Sequence, residues 1–359
     1  MLIDLSFYLL IALLLQILLN CFFICVWQNS VLKKFHEVYQ SEQKIHDGFI
    51  PRFGGLAMLL SLFVVNYFLP TSWMTNLLSI IFLCFLPLFF VTFLEDTYNN
   101  IQPLARLIFI LSSSFLIFIF SDFDLPVVDI PVFSVLFNQH AWLFILILIL
   151  AVSGMLNAFN FIDGLNGLLL FNFISIFLSL LLMTNDVGSQ EWLKLLTILI
   201  AISFIQLIFN FPKAFIFSGD LGAYSFGFII SILIVVFFGQ FPNFLSWQAI
   251  LILFYPICEF LFTFIRRLWA RKNLFRADRL HLHQLLFSFL ETKLSKKLSA
   301  NSLATILLAP LWGFPLFWIY LHGIQLSLFD NVLGMLLGIT LYLMYYFFCF
   351  KINHHRNQL

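Results

Sequence analysis

Charge is scarce in this chain: Asp, Glu, Lys and Arg make up 10% of 359 residues, against 62% hydrophobic and 19% aromatic. Mean hydropathy is +1.03. So little charge cannot clothe a soluble protein of this length, which excludes a water-facing globular fold and places apolar surface against lipid. The five cysteines, Cys21, Cys25, Cys84, Cys258 and Cys349, lie inside apolar runs without paired spacing. They imply no disulfide framework and no zinc site, only small buried hydrophobes. Internal repeats, low-complexity linkers and any polar stretch long enough for a soluble domain are absent, so residues 1–359 are read as one domain. The weak alternation of a membrane β-barrel is missing too, because the apolar runs are continuous and carry Gly and Pro inside them. No basic stretch precedes the first run, which carries Asp4 and meets Lys33 and Lys34 only on its far side. It reads as a retained helix with its N-terminus outside rather than as a cleaved signal.

What is present is a series of about eleven apolar spans. A hydrocarbon core about 30 Å thick needs roughly 20 helical residues per crossing. Spans are read near residues 3–27, 53–70, 74–94, 104–120, 141–158, 165–184, 193–211, 223–239, 248–265, 302–321 and 331–350. The expected fold is therefore an all-α polytopic membrane protein. Between spans four and five, SDFDLPVVDIPVF alternates polar and apolar residues around two prolines, which fits a small hairpin or a loop equally well. The 50 phenylalanines are read as lipid-facing or interhelical filler, and none is given a role.

Seventeen of the 18 Lys and Arg residues fall in one alternate set of gaps, only Lys194 falling in the other. The positive-inside rule then puts that set in the cytoplasm, the N-terminus on the periplasmic side and the C-terminal tail in the cytoplasm. Topology and anionic-lipid contact account for Lys33, Lys34 and the Lys293–Lys297 group.

The same gaps hold the residues that can carry chemistry. FLEDTYNNIQPLARL sets Glu95 beside Asp96 at the end of span three, with Arg106 at the start of the next. Carboxylates at a hydrocarbon boundary are costly unless a metal or cation partners them. NAFNFIDGLNGL spaces Asn157, Asn160 and Asp163 three apart, so on a helix they share a face and converge on one ligand; Asn166 follows. FSGDLGAYSFG places Asp220 at a helix start, where it is either an N-cap or a Mg²⁺ ligand. RRLWARKNLFRADRLHLHQLL sets six Arg and Lys residues upstream of His281 and His283, a set of donors suited to phosphate oxygens. QKIHDGFIPRFGGLA combines Lys44, His46 and Arg52 with Gly54 and Gly55, adjacent glycines that more often mean close helix packing than ligand contact. Glu259, inside span nine, is read as a buried acid pairing with another helix or lying near the cytoplasmic end, outside the active site. A divalent cation site, a basic phosphate loop and a hydrophobic enclosure together suit phosphoryl transfer to a lipid phosphate.

From Lys44 to Gln284 the order and wording of these five loops resemble the polyprenyl-phosphate N-acetylhexosamine-1-phosphate transferase family. PRFGG and HLHQ favour its hexosamine branch over the phospho-N-acetylmuramoyl-pentapeptide one. The resemblance implies transfer of a sugar 1-phosphate, an N-acetylhexosamine, from a UDP-sugar to undecaprenyl phosphate with release of UMP, in the bacterial inner membrane with the active site on its cytoplasmic face. It implies Mg²⁺, or Mn²⁺ in its place, held by Asp220 with Asn160. Glu95, Asp96 and Asp163 fall on the family's catalytic acids, with the base undecided between Glu95 and Asp96. Lys44, His46 and Arg52 match a loop that would hold the lipid phosphate, and Arg106 and Asn157 fall among the substrate-binding residues. Asn166 would lie near the uracil, and Arg279, His281 and His283 against the diphosphate. Two positions depart from the family: Glu95 where Asp is usual, and Gln284 in the third place of HxHH. Partners on this reading are the two substrates and membrane lipids, with no nucleic acid and with a homodimer left open. The competing readings are a lipid or solute transporter and a catalytically inactive homologue that only binds the lipid carrier.

Overall fold

The computed structural model describes residues 2–29, 50–98, 101–129, 131–271, 280–294 and 297–356, and every regular element among them is helical. In chain order these are α1 (Leu2–Asn29), α2 (Gly54–Phe68), α3 (Trp73–Tyr98), α4 (Pro103–Phe120), α5 (Pro131–Gln139), α6 (Ala141–Ile162), α7 (Leu168–Val187) and α8 (Gln190–Asn210). There follow α9 (Gly219–Gln240), α10 (Trp247–Ile252), α11 (Phe254–Trp269), α12 (Leu282–Glu291), α13 (Lys297–Leu307), α14 (Ala309–Trp312), α15 (Phe314–His322) and α16 (Leu328–Arg356).

Nine helical stretches among the described residues are long and apolar enough to cross a membrane, the broken run α13–α15 counting as one. The chain is a multi-pass α-helical membrane protein. The other two expected spans are present as shorter pieces. α2 has 15 residues, which at 1.5 Å per residue is about 22 Å, short of a full hydrocarbon core. The span expected at 248–265 is split at Leu253 into α10 and α11.

α9 is the centre of the bundle, buried over its whole hydrophobic window. It packs on α2, α3, α6 and α7, with α1 and α8 closing the side beyond α2 and α4 and α11 flanking α6. Its first turns, GDLGAYSFG, intersperse three glycines, an alanine and a serine among larger residues, and small residues let helix backbones approach closely in lipid. Gly55 of α2 meets Gly222 there so tightly that a Cβ on Gly222 would lie 3.1 Å from the Gly55 Cα, while a Cβ on Gly55 would collide with the Gly222 backbone. The segment before α2 is stitched to the segment before α9: Phe217 N–H donates to the Pro51 carbonyl (2.8 Å), Gly54 N–H to Phe217 (2.9 Å) and Gly55 N–H to Ser218 (2.8 Å). Farther along the bundle, Ser61 Oγ donates to Gln16 and Gln16 Nε2 donates to Gln206, a buried polar latch joining α2, α1 and α8.

Among the described residues of 121–140 there is no hairpin. The described part is a loop followed by α5, which opens on Pro131, a residue preset for a first helical turn. Asp129 ties that loop to the bundle by accepting from Ser246 N–H and Oγ–H at 2.6 and 2.8 Å.

Candidate active site

Five of the predicted residues meet at one end of the bundle. Asp220, in the first turn of α9, has a guanidinium on each oxygen: Arg52 on Oδ1 at 2.9 Å and Arg106 on Oδ2 at 3.0 Å. Arg106 also reaches Glu95 Oε1 at 3.0 Å, and Glu95 Oε2 accepts the Ile101 N–H at 2.8 Å. Glu95 therefore holds both the arginine and the chain between α3 and α4. Arg52 Nε lies 3.4 Å from Asp96 Oδ1.

Asp96 does something that pattern reading did not anticipate. Its two oxygens accept the backbone N–H groups of Asp220 and Leu221, each at 2.8 Å. The first amides of a helix have no intrahelical acceptor, so a carboxylate from α3 caps α9 in trans. Gly219 makes room for it: its φ of 71° is left-handed, and a Cβ there would sit 2.6 Å from both Asp96 oxygens.

Asp163 follows the last turn of α6. Burial, partly opposed by Arg52 and reinforced by Asp220, pushes its carboxyl up to about 7. Unlike its neighbours, its carboxylate makes no hydrogen bond among the described residues, nor does the Asn160 amide one turn earlier. Asn157 donates back to the Ser153 carbonyl at 2.9 Å, keeping its Oδ1 unengaged by that bond. Burial works against the charge of Arg52, but Asp96 and Asp220 more than offset it and hold the guanidinium above its ordinary range.

With all four carboxylates ionised, Glu95, Asp96, Asp163 and Asp220 carry two more negative charges than Arg52 and Arg106 neutralise, an excess that one dication would cancel. Among the described residues no three His, Cys, Asp or Glu side chains form a ready-made metal cage. Mg²⁺ does not need one, since it keeps waters and takes substrate phosphate oxygens. The oxygens of Asp163 and Asn160, which no described residue engages, are donors of the kind it takes.

Asn166 sits deeper than a nucleotide contact would suggest. It is 1% exposed and ties three segments together. Its Nδ2 donates to the Pro212 carbonyl at 2.9 Å, its N–H to Asn301 Oδ1 at 2.8 Å, and its carbonyl accepts from Thr305 Oγ at 2.8 Å. Gly167, at φ 76°, then starts α7 with its N–H on Asn210.

The histidines pack behind the Asn/Asp loop. His281 lies 5.1 Å from the Phe161 ring centroid and stacks on His283 at 5.7 Å. His283 is fully buried against Gly164 with neither ring nitrogen partnered. Burial, with some help from His281 and against the pull of Glu259, pushes it down to about 3, so it is neutral at physiological pH. Lys44, His46 and Arg279 lie outside the described residues. Glu259, which the sequence reading set apart from the site, proves to be the partner of His281 (2.8 Å). The one signal for it was an acid inside an apolar run.

The fold and site together define a multi-pass helical membrane protein whose central helix carries a cluster of paired acids and arginines at one end. The sequence profile of glycosyl transferase family 4 matches residues 78–238, from mid-α3 to the end of α9, which takes in the acidic pair, the Asn/Asp loop and Asp220. The chain is 28% identical over 251 residues to a Bacillus subtilis protein named "Probable undecaprenyl-phosphate N-acetylglucosaminyl 1-phosphate transferase", covering 69% of each. It is 29% identical over 242 residues to the Thermotoga maritima undecaprenyl-phosphate alpha-N-acetylglucosaminyl 1-phosphate transferase, covering 67% of this chain and 69% of that one. A Thermotoga neapolitana phospho-N-acetylmuramoyl-pentapeptide-transferase is 29% identical over 192 residues, covering 52% and 60%. Over the segment that carries these residues the chain is thus similar to glycosyl transferase family 4, and over about two thirds of its length to undecaprenyl-phosphate N-acetylglucosaminyl 1-phosphate transferases.

Proposed function

We propose that this protein transfers a sugar 1-phosphate, an N-acetylhexosamine phosphate, from a UDP-sugar to undecaprenyl phosphate, working on the cytoplasmic face of a bacterial inner membrane. The observation that carries this reading is the convergence of Asp96, Asp163 and Asp220 with Arg52 and Arg106 at one end of the bundle. Three tethered segments contribute the acids, as a pocket for a metal-bridged diphosphate requires.

In the reaction a lipid-phosphate oxygen forms a bond to the sugar-bearing phosphorus. The bond from that phosphorus to the bridging oxygen breaks, and UMP leaves with the electron pair. Mg²⁺, when bound, would supply the positive charge that offsets the charge of the phosphate groups. Asp163, Asp220 and Asn160 would hold it. Arg52 and Arg106 then have phosphate oxygens as alternative partners, which planar guanidinium forks bind in two-point fashion. The apolar flank of α2 and α3 keeps the acceptor's chain in lipid while its phosphate reaches Arg52. Asp96 keeps the α9 amides fixed, so that Asp220 does not drift during turnover.

The test uses purified protein in detergent with undecaprenyl phosphate and a panel of UDP-N-acetylhexosamines. UMP release equal to the lipid-linked product, abolished by EDTA and restored by Mg²⁺ or Mn²⁺, is the expected result. No product from any UDP-sugar, with the protein monodisperse, would refute the reading.

A further inference from the structure

The pocket leaves one buried acid unused. Glu259 of α11 is fully buried, and both its oxygens are engaged. Oε1 faces His281 Nδ1 at 2.8 Å and accepts the Leu282 N–H at 3.2 Å. Oε2 accepts the Tyr342 hydroxyl of α16 at 3.0 Å. Thr263 Oγ, one turn along α11, lies 3.4 Å from the same Nδ1. An acid inside hydrocarbon is expensive, and a helix-to-helix tie needs no carboxylate when a neutral amide would serve. The shortest of this carboxylate's contacts is to one nitrogen of the His281 imidazole, beside the Asn/Asp loop. The other nitrogen, Nε2, has no hydrogen-bond partner among the described residues, and unlike the nitrogens of His283 it is not sealed from solvent. The ring itself is fixed between Phe161 and His283.

We propose that Glu259 is a positioning residue: it keeps the proton of His281 on Nδ1 and so aims Nε2 at the diphosphate of the donor. The inference rests on the function proposed above. A carboxylate on one ring nitrogen fixes the tautomer and orientation of a functional imidazole and favours its protonated form. Tyr342, on Oε2 alone, steadies the acid without touching the ring. Glu259 and His281 also lie beyond residues 78–238, which the glycosyl transferase family 4 profile matches.

A double-mutant cycle on the full chain tests it. Glu259→Met removes both acceptors at similar volume and is expected to lower kcat/KM for the UDP-sugar about 10- to 100-fold, the usual cost of losing an orienting partner, with KM for undecaprenyl phosphate unchanged. Glu259→Gln, which retains one acceptor, recovers part of the loss, and Tyr342→Phe costs less than either. In a His281→Ala background Glu259→Met adds nothing further. Losses that multiply in the double variant would overturn the proposal. Should Glu259→Met fail to give monodisperse protein, Glu259→Gln carries the same cycle with the same expected non-additivity. A second readout does not depend on turnover: in ¹⁵N-histidine-labelled protein the His281 resonances show a protonated Nδ1, which is lost in Glu259→Met and kept in Tyr342→Phe. An unprotonated Nδ1 in the wild type refutes the positioning role even if UMP is released. A protonated one alongside no UMP release refutes the function and leaves the positioning intact.

Discussion

Asp96 and Asp163 are both acids of the same pocket, and their bonding sets opposite expectations for the same amide substitution. In Asp96→Asn one of the two α9 amides faces an NH₂ group in place of an acceptor. Leaving a buried donor unpaired costs about 1–3 kcal/mol, and turning the remaining charged bond into a neutral one costs about 1 kcal/mol more. Losing a negative charge at a helix N-terminus adds a few tenths to 1 kcal/mol. Relief of carboxylate desolvation offsets part of this, leaving about 2–4 kcal/mol of destabilisation, or a fall of several degrees in the unfolding midpoint. Asp163→Asn breaks no hydrogen bond. Burial raises that carboxyl to about 7 from an ordinary 3.8, so above pH 7 the folded protein carries a destabilising charge that the amide removes. Its midpoint at pH 8 is therefore expected to stay level or rise while activity falls at least 100-fold. Thermal unfolding of both variants in detergent at pH 8, beside turnover, is the assay. An unchanged midpoint for Asp96→Asn, or a fall for Asp163→Asn matching it, would refute the trans-capping argument.

Other outcomes follow from the same geometry. Divalent cation binding must displace the proton of Asp163, so Mg²⁺ affinity measured by calorimetry at pH 6, 7 and 8 is expected to weaken as pH falls below about 7; a flat profile would contradict it. Gly55→Ala forces a methyl into the Gly222 backbone and is expected to cost about 1–3 kcal/mol and to displace Arg52 from Asp220, read as a lower unfolding midpoint with a higher KM for the lipid phosphate. Thr305→Val removes the bond to the Asn166 carbonyl at nearly constant shape and is expected to cost about 1 kcal/mol, with a modest rise in KM for the UDP-sugar; a kcat effect alone would argue against a role in holding the loop.

The helical membrane architecture was legible because lipid demands runs that any reader of hydropathy can find. Convergence of Glu95, Asp96, Asp163, Asp220, Arg52 and Arg106 was legible because each stands out against apolar neighbours on the same set of gaps. Gly54 and Gly55 were rightly read as packing glycines. What spacing could not convey is who bonds to whom. Asp96 caps a helix 124 residues away, and no local pattern marks a trans cap. Asp220 looked like either a cap or a metal ligand, and it is the anchor for two arginines. Asn166, read as lying near the uracil, is also a buried tie between three segments, a bonding role that spacing does not convey. Glu259 was set aside because its partner, His281, follows a basic stretch 22 residues on. The short α2 and the split at Leu253 escaped a reading based on run length because hydropathy averages over the residues that break a helix.

The most direct measurement is turnover of wild-type, Asp163→Asn and Asp220→Asn protein with undecaprenyl phosphate and UDP-N-acetylglucosamine, each at a verified, monodisperse fold and saturating Mg²⁺. One pocket bridged by a cation requires UMP release from the wild type and its loss in each variant, with the double variant no worse than either. Full activity in either single variant, or losses that multiply in the double, would contradict a single shared site.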